Sequence, residues 1–208
     1  MGSIYDACEE KGGHTAWSFD QDPKRICFQM SRYKFVAKML EGKQKVLEVG
    51  CADGQGSKIV RQHVGELIAV DSDPVAIERA KALASTRWTI QFRLGDIMNV
   101  HVASEEEWHS YDAVYSLDVF EHIADDTRLL GKLSICAPVC IIGTPSKESQ
   151  TYASAISKAG HVNCVTKEEL RAKCLRRWTH VFMFGMNDEV VHTGFGPMSN
   201  YLFALCVR

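Results

Sequence analysis

One short run constrains the fold of this chain more than any other: Val46-Leu-Glu-Val-Gly-Cys-Ala-Asp-Gly-Gln-Gly56. Four mostly apolar residues, which suit a buried strand, lead directly into a turn that contains three glycines. Glycine has no Cβ and adopts positive φ, so the backbone of such a turn can lie close against a ligand. The run therefore predicts a strand that ends in a ligand-binding turn, followed by a helix that begins near Ser57.

The next apolar run, Leu67-Ile-Ala-Val-Asp71, ends in an acid 15 residues after Gly56. A carboxylate at the end of a second strand can accept hydrogen bonds from both hydroxyls of a ribose, as in nucleotide-binding α/β folds. The glycine spacing does not match the dinucleotide fingerprint, which needs glycine where Ala52 and Gln55 stand, and no phosphate-binding Gly-Lys-Ser/Thr loop is present. The two runs together predict an adenosine-bearing cofactor that lacks phosphate, bound at the carboxyl edge of a parallel sheet.

The spacing of Glu48, Gly50, Gly54 and Gly56 resembles motif I of the class I S-adenosylmethionine-dependent methyltransferases. The resemblance covers residues 31–208 and implies an α/β, Rossmann-like fold, with a mostly parallel seven-stranded sheet, helices on both faces and a C-terminal antiparallel hairpin. It also implies that S-adenosylmethionine is the cofactor and S-adenosylhomocysteine the product. One departure, Ala52 at a position where glycine is common in the family, adds a single methyl group.

Further cofactor contacts are implied by the same resemblance. Gly95-Asp96-Ile97 resembles motif II, where the acid takes the adenine amino group and the next residue packs on the ring. Asp118 is expected near the methionine end of the cofactor. The complete set of expected cofactor-binding residues is Glu48, Gly50, Cys51, Ala52, Asp53, Gly54, Gly56, Asp71, Ser72, Asp96, Ile97, Leu117 and Asp118.

Strand and helix patterns alternate along the rest of the chain, which indicates a parallel sheet covered on both faces. Strands are predicted at 46–49, 67–70, 88–93, 111–117, 139–142, 179–186 and 201–207. Helices are predicted at 31–40, 57–63, 75–84, 104–108, 125–135 and 152–159, and after a capping box at 166–169. The last two strands follow one another without a helix, which predicts the antiparallel hairpin.

The N-terminal segment, residues 1–30, is separated from the methyltransferase domain, residues 31–208. Its side chains include His14, Trp17 and Phe19, which are costly to leave in a disordered tail. We therefore expect part of it to fold onto the site as a lid. Arg32 and Tyr33 then open the helix that is expected to lie over the cofactor.

A second chemically rich run extends from Tyr111 to Ile123 and places Asp118, Glu121 and His122 within five residues after a strand. Ligands bind at such strand ends in open α/β sheets. Methyl transfer to a hydroxyl requires an aligned acceptor and removal of its proton, and histidine titrates in the right range. His122 is therefore the candidate base and Glu121 the candidate residue that orients it, with a buried structural histidine as the alternative. The run resembles the corresponding segment of small-molecule O-methyltransferases.

Three polar clusters, at 144–146, 160–163 and 187–196, are candidates for the acceptor site because specificity commonly lies in loops on a rigid scaffold. Together with the helix at 31–40 they supply four candidate substrate contacts: Tyr33, His161, Asp188 and His192. A solvated hairpin loop is the alternative for 187–196. This loop resembles that of methyltransferases found among polysaccharide-synthesis proteins, which implies a sugar or nucleotide sugar as acceptor.

Composition argues against several classes of protein. The 208 residues suit one domain, and the net charge of −2, with no long basic run, does not favour nucleic acid as a partner. No window approaches the ~18 consecutive apolar residues of a membrane span. The eight cysteines are scattered without a C-x-x-C pair, which indicates reduced thiols in a cytoplasmic protein and argues against a zinc site.

The expected function is O-methylation of a small polyhydroxylated acceptor, such as a sugar or nucleotide sugar. The alternatives are a phenolic or quinone-type acceptor, RNA or protein, and a non-catalytic cofactor-binding protein. No residue is assigned as a metal ligand, although the nearby acids Asp118, Glu121, Asp125 and Asp126 leave a metal-assisted variant open. The oligomeric state is also left open.

Overall fold

A computed structural model of the chain describes residues 14–99 and 110–208. The helix expected at 104–108 and residues 1–13 of the expected lid lie outside the described residues. The helices are α1 (His14–Gln21), α2 (Arg25–Met39), α3 (Ser57–Arg61), α4 (Pro74–Ala82), α5 (Asp126–Cys136), α6 (Ala155–Gly160) and α7 (Lys167–Cys174). The strands are β1 (Lys45–Val49), β2 (Glu66–Asp71), β3 (Gln91–Leu94), β4 (Ala113–Leu117), β5 (Val139–Pro145), β6 (His180–Asn187), β7 (Val190–His192) and β8 (Tyr201–Val207).

These strands form one eight-stranded sheet with the order β3-β2-β1-β4-β5-β8-β6-β7. The five neighbouring strands β3, β2, β1, β4 and β5 pair in parallel. In contrast, β8 pairs antiparallel with both β5 and β6. The expected mostly parallel sheet with a C-terminal antiparallel hairpin is confirmed. The expected count of seven strands is one too low, because β7 forms within the loop between the last two predicted strands and pairs with β6.

The central strands are buried on both faces, which explains why their sequences are continuously apolar rather than alternating. In β1, Val46 faces the hydrophobic cluster that includes residues of α2, whereas Leu47 faces the cluster that includes residues of α5 and α7. In β4, Ala113 and Tyr115 face the first cluster and Val114 faces the second. The strand period of two thus sends neighbouring residues into two separate cores.

Helix ends agree with the capping signals in the sequence. Asp73 caps α4 by accepting a hydrogen bond from the Val75 N–H at 2.9 Å, with Pro74 at the first helical position. Thr166 and Glu169 form the expected capping box before α7. None of the helices within 14–99 and 110–208 combines the length and the apolar character that a membrane crossing requires.

Two helices differ from their predicted bounds by more than a few terminal residues. The helix expected at 31–40 begins at Arg25, so the expected division between residues 30 and 31 falls inside α2. The helix expected at 152–159 is divided into a 3₁₀ turn, Glu148–Tyr152, and α6. Ser154 separates the two because its hydroxyl accepts a hydrogen bond from the Ser157 N–H at 3.1 Å and caps α6.

The turn after β1 packs directly against the turn after β4. Gly50 has a φ of +85°, and a Cβ added there would lie 2.2 Å from Cγ2 of Val119. A residue with a side chain would therefore be strained in its backbone and would also collide with the neighbouring turn. Glycine at this position keeps the two turns in contact.

We expect Gly50→Ala to lower the free energy of unfolding by about 2–4 kcal/mol, from the positive φ together with overpacking against Val119. Gly42→Ala is the matched control, because Gly42 has a φ of +84° but a Cβ there would meet nothing within 4 Å. Urea unfolding of both variants measures the difference. Equal losses of stability in the two variants would show that overpacking of the added methyl group against Val119 has no cost.

Candidate active site

The carboxyl ends of four neighbouring strands meet at one edge of the sheet. Val49 of β1 lies opposite Val70 of β2 on one side and Ser116 of β4 on the other. Leu117 of β4 in turn lies opposite Gly143 of β5. The segments that follow these strands therefore converge, as ligand-binding loops do in open α/β sheets.

Asp71 lies at the end of β2 and holds the glycine turn in place. Its Oδ2 accepts a hydrogen bond from the Ala52 N–H at 2.8 Å, and its Oδ1 accepts one from the Asp73 N–H at 3.0 Å. Ala52 has a φ of 47°, so this bond supports a strained backbone. A carboxylate has about four lone-pair sites, which leaves Asp71 able to accept from ribose hydroxyls as well. The neighbouring Ser72 is exposed.

Glu48 is a buried acid at the same edge, with 1% of its surface exposed. Burial raises its pKa to about 7, and the hydroxyls of Ser57 and Tyr115 lower it in part. Neither carboxylate oxygen has a well-formed hydrogen bond within the described part of the chain. A buried carboxylate without a partner fits a ligand that carries positive charge, as the ammonium and sulfonium groups of S-adenosylmethionine do.

Asp53 is bonded to the N-terminal helix. Its Oδ2 accepts from the Thr15 N–H at 2.9 Å, and its Oδ1 accepts from the Thr15 hydroxyl at 3.0 Å. Residues of α1 therefore contact the glycine turn, which is the place expected for a lid. Phe19, also expected to fold onto the site, is 52% exposed.

Two of the glycines are required by packing within the protein. A Cβ added to Gly56 would lie 2.1 Å from the ring of Tyr33, and one added to Gly54 would lie 2.5 Å from the ring of Phe92. Tyr33 is only 7% exposed and makes an edge contact with Tyr115. Tyr33, expected to contact the substrate, thus packs against the turn instead of projecting into an open site.

The other expected cofactor residues fall into two groups. Asp96 accepts from the Met98 N–H and from the Asn99 side-chain amide, both at 2.8 Å, and so holds the turn formed by residues 96–99. Three are largely buried, with exposures of 2–4%, and contribute mainly to the core: Cys51, Ile97 and Leu117. Burial raises the pKa of the Cys51 thiol, which is therefore unreactive.

Asp118 follows β4 in a left-handed conformation, with a φ of 56°. Both of its oxygens accept from Nη1 of Arg32, at 2.8 and 2.9 Å. The guanidinium of Arg32 also lies 3.9 Å from the centre of the Tyr201 ring. Arg32 had no assigned role from the sequence, because nothing in the sequence of α2 shows that it meets a residue 86 positions later.

Glu121, His122 and His161 form a cluster beside Asp118. Glu121 is 1% exposed, and its Oε1 lies 3.9 Å from Nε2 of His122. The rings of His122 and His161 meet edge to face with their centres 5.1 Å apart. The backbone carbonyl of Glu121 accepts from the N–H groups of Val162 and Asn163, at 2.8 and 3.0 Å. These two bonds bring the expected 160–163 cluster to the end of β4.

Each side chain of the cluster is held by a hydrogen bond. Nδ1 of His122 contacts the Gly160 carbonyl at 2.9 Å, Nδ1 of His161 contacts Oε1 of Gln150 at 2.9 Å, and Oε2 of Glu121 accepts from the Thr144 hydroxyl at 3.0 Å. Burial, with the adjacent Asp118, raises the pKa of Glu121 to about 8. Burial and the neighbouring His122 lower the pKa of His161.

Asp188 and His192 lie at the same edge but farther along the sheet. Asp188 is exposed at the turn between β6 and β7, and His192 in β7 pairs with Gly185 of β6. One row of paired residues crosses this part of the sheet: Thr144 of β5, Leu202 of β8, Gly185 of β6 and His192 of β7. Three strand spacings therefore separate Thr144 from His192, a distance of about 14 Å.

Stability should fall as the pH rises, because the pKa of Glu48 is about 7 in the folded protein and 4.5 ordinarily. The protonated form favours folding, so its contribution is complete below pH 4.5 and is lost as the pH passes about 7. We expect Glu48→Gln to remove a pH-dependent change on the order of 3 kcal/mol across that window. Urea unfolding at a series of pH values tests this, with the exposed Glu168→Gln as control. A Glu48→Gln profile as steep as that of the control would contradict it.

A family model described as a methyltransferase domain matches residues 47–135, which run from β1 into α5. The O-antigen chain terminator bifunctional methyltransferase/kinase WbdD from Escherichia coli is 29% identical over 153 residues, which are 67% of this chain and 21% of that protein. Phosphoethanolamine N-methyltransferase 1 from Arabidopsis thaliana is 33% identical over 135 residues, which are 57% of this chain and 26% of that protein. The chain thus spans about a quarter or less of the length of these curated relatives.

Solved structures share the fold. The N-methyltransferase NodS from Bradyrhizobium japonicum, in complex with S-adenosylhomocysteine, superposes with a TM-score of 0.68 at 18% identity, over 100% of this chain and 99% of that chain. The family model matches the region that contains the glycine turn, Asp71 and the Asp118–His122 segment. The matched region therefore identifies a class I S-adenosylmethionine-dependent methyltransferase domain in this chain, with S-adenosylmethionine as its cofactor.

Proposed function

We propose that this chain methylates a hydroxyl group of a small polyhydroxylated acceptor, such as a sugar or nucleotide sugar. The observation that carries the proposal is the cluster of Glu121, His122 and His161 at the end of β4. It adjoins Asp118, which also follows β4 and is expected to lie near the methionine end of the cofactor. The cluster therefore offers groups that can bind and deprotonate a hydroxyl where the methyl group would be delivered.

The cofactor in this proposal is held by residues at the edge of the sheet. Asp71 accepts from the ribose hydroxyls, Asp96 from the adenine amino group, and Ile97 packs on the ring. Neither carboxylate oxygen of Glu48 has a well-formed hydrogen bond within the described residues, and the positive groups of the cofactor would favour its deprotonated form. Asp118 approaches the methionine end and is oriented by Arg32.

The proposed reaction is an in-line displacement. The sulfur–methyl bond of the cofactor breaks, an oxygen–methyl bond forms, and the hydroxyl proton leaves. The Gly160 carbonyl can only accept, so Nδ1 of neutral His122 carries the proton and Nε2 keeps a lone pair. In the proposal Nε2 takes the hydroxyl proton. Glu121, at 3.9 Å from Nε2, stabilises the imidazolium that results when its own carboxyl group, with a pKa of about 8, is deprotonated.

Two observations support a sugar as the acceptor. The Escherichia coli relative is named as an O-antigen chain terminator bifunctional methyltransferase/kinase. The polar β6–β7 hairpin, with Asp188 and His192, lies at the same sheet edge about 14 Å from Thr144. An acceptor longer than one ring would place further hydroxyl groups against this hairpin.

A small amine is the second candidate acceptor. Phosphoethanolamine N-methyltransferase 1 and NodS are both named as N-methyltransferases. The acids Asp118 and Glu121 would favour a positively charged amine before it loses its proton. Turnover measured over a panel of acceptors distinguishes these candidates from phenolic or quinone-type acceptors, RNA, protein and a non-catalytic role.

Asp71→Asn should weaken the binding of S-adenosylhomocysteine about tenfold or more, because a charge-assisted hydrogen bond to the ribose is worth about 1.5–3 kcal/mol. Isothermal titration calorimetry measures the affinity. Asp73→Asn is the matched control, since Asp73 caps α4 and asparagine caps a helix equally well. Equal affinities for wild type and Asp71→Asn would remove Asp71 from the cofactor site.

The acceptor is tested by release of S-adenosylhomocysteine across nucleotide sugars, oligosaccharides, phenols, small amines and RNA. We expect turnover on sugars, and a decrease of about 10²–10⁴-fold in kcat for His122→Gln with unchanged affinity for S-adenosylhomocysteine. His180→Gln changes an exposed histidine at the start of β6 and should keep full activity. Turnover on amines alone would overturn the hydroxyl acceptor. Cofactor binding without any turnover would favour a non-catalytic role.

A further inference from the structure

The cluster at the end of β4 has the composition of a metal site. Glu121, His122 and His161 each offer a ligand atom, and these atoms all lie within 4.8 Å of one another. Glu121 comes from the 3₁₀ turn after β4, and His161 comes from the segment after α6. The chain therefore brings together ligands that are 40 positions apart in the sequence.

The hydrogen bonds around the cluster leave one ligand atom open on each side chain. With Nδ1 of His122 bonded to the Gly160 carbonyl, Nε2 keeps its lone pair. Nδ1 of His161 is bonded to Oε1 of Gln150, so Nε2 of His161 also keeps its lone pair. Thr144 bonds Oε2 of Glu121 and leaves Oε1 toward His122. Metal-binding histidines are held in this way, by a carbonyl or carboxylate on the other ring nitrogen.

The charges around Glu121 also favour a cation. The carboxylate is almost fully buried, and its hydrogen-bond partner Thr144 is neutral. The nearby Arg32 makes its hydrogen bonds to Asp118 and not to Glu121. A buried carboxylate is costly without a partner of opposite charge, and a divalent cation would supply one.

We propose that Glu121, His122 and His161 bind a divalent transition-metal cation, and that the acceptor hydroxyl occupies its open coordination position. Two histidines with one carboxylate suit Zn²⁺, Co²⁺ and similar ions, whereas Mg²⁺ and Ca²⁺ prefer oxygen ligands. Three protein ligands leave a position for substrate, as catalytic metal sites require.

The role of the cation rests on the proposed function and changes one of its steps. A cation bound to Nε2 of His122 prevents that atom from taking the hydroxyl proton. The cation instead lowers the pKa of the hydroxyl, and the proton passes to water as the oxygen–methyl bond forms. The atoms and charges of the overall reaction stay the same.

The acidic set that the sequence left open is not assembled into a site. Asp125 caps α5 by accepting from the Arg128 N–H at 3.0 Å. Asp126 pairs with Lys173, and Asp118 pairs with Arg32. Of the four acids, Glu121 alone belongs to the group whose ligand atoms face one another among the described residues.

Titration of the full chain with Co²⁺, followed by its visible absorption and by calorimetry, tests the proposal without any turnover. We expect one Co²⁺ per chain with the spectrum of mixed nitrogen and oxygen ligands. Gln150→Ala should weaken binding about tenfold, because it frees His161 to rotate. His161→Ala should weaken binding further, since it removes a ligand. Asp125→Asn is the matched control and should bind Co²⁺ as wild type does.

Affinity for S-adenosylhomocysteine, unchanged in every variant, shows that each one is folded. Absence of Co²⁺ and Zn²⁺ binding in wild type, or equal Co²⁺ affinity in wild type and His161→Ala, would overturn the metal site. Binding of Mg²⁺ that Asp125→Asn abolishes would also overturn it, in favour of the acidic set. Sugar turnover that persists in a chelator would reject the metal and keep the proposed function. Metal binding without turnover on any hydroxyl would keep the metal site and reject the proposed function.

Discussion

The contact between the turns after β1 and β4 is the constraint on which the site depends. Gly50 has a positive φ and lies against Val119, with no room for a Cβ between them. One turn leads to the glycine-rich segment, and the other leads to Asp118 and Glu121. Because the turns touch, the residues expected to bind the cofactor and the cluster proposed to bind the acceptor are held at a fixed separation. Methyl transfer depends on such alignment, and small displacements are costly to it.

The central fold could be predicted because its signals are local and consistent with one another. Apolar runs bounded by glycine or acid defined β1, β2, β4 and β5, and capping residues such as Thr166 marked helix ends correctly. The short strand β7 was missed because its residues, Val190–His192, lie within a polar loop and pair with β6 only in the folded chain. The early start of α2 was missed because Lys24, before its first residue, makes no side-chain capping bond.

The sequence names candidate residues for the site but does not show how they are arranged. Asp71, Glu121 and His161 were identified from their positions after strands or in polar loops. The sequence does not show that the Glu121 carbonyl bonds two N–H groups that directly follow His161, which is what brings the two histidines together. Arg32 was missed as a partner of Asp118 because their pairing depends on how α2 packs over the sheet. Long-range pairings of this kind have no local sequence pattern.

The segment between the two halves of the cluster has a further consequence for how such enzymes diverge. Ser146 is anchored by its bond to the Ser199 carbonyl, and Asn163 is anchored by the Glu121 carbonyl. Between them, Tyr152 is 88% exposed, and the residues beside it contribute little to either core. Substitutions around Tyr152 should therefore be tolerated by the fold while they reshape the surface next to the cluster, whereas Gln150, Gly160 and His161 in the same segment hold the cluster itself. Related chains can thus acquire new acceptors at little cost in stability and without altering the chemical groups themselves.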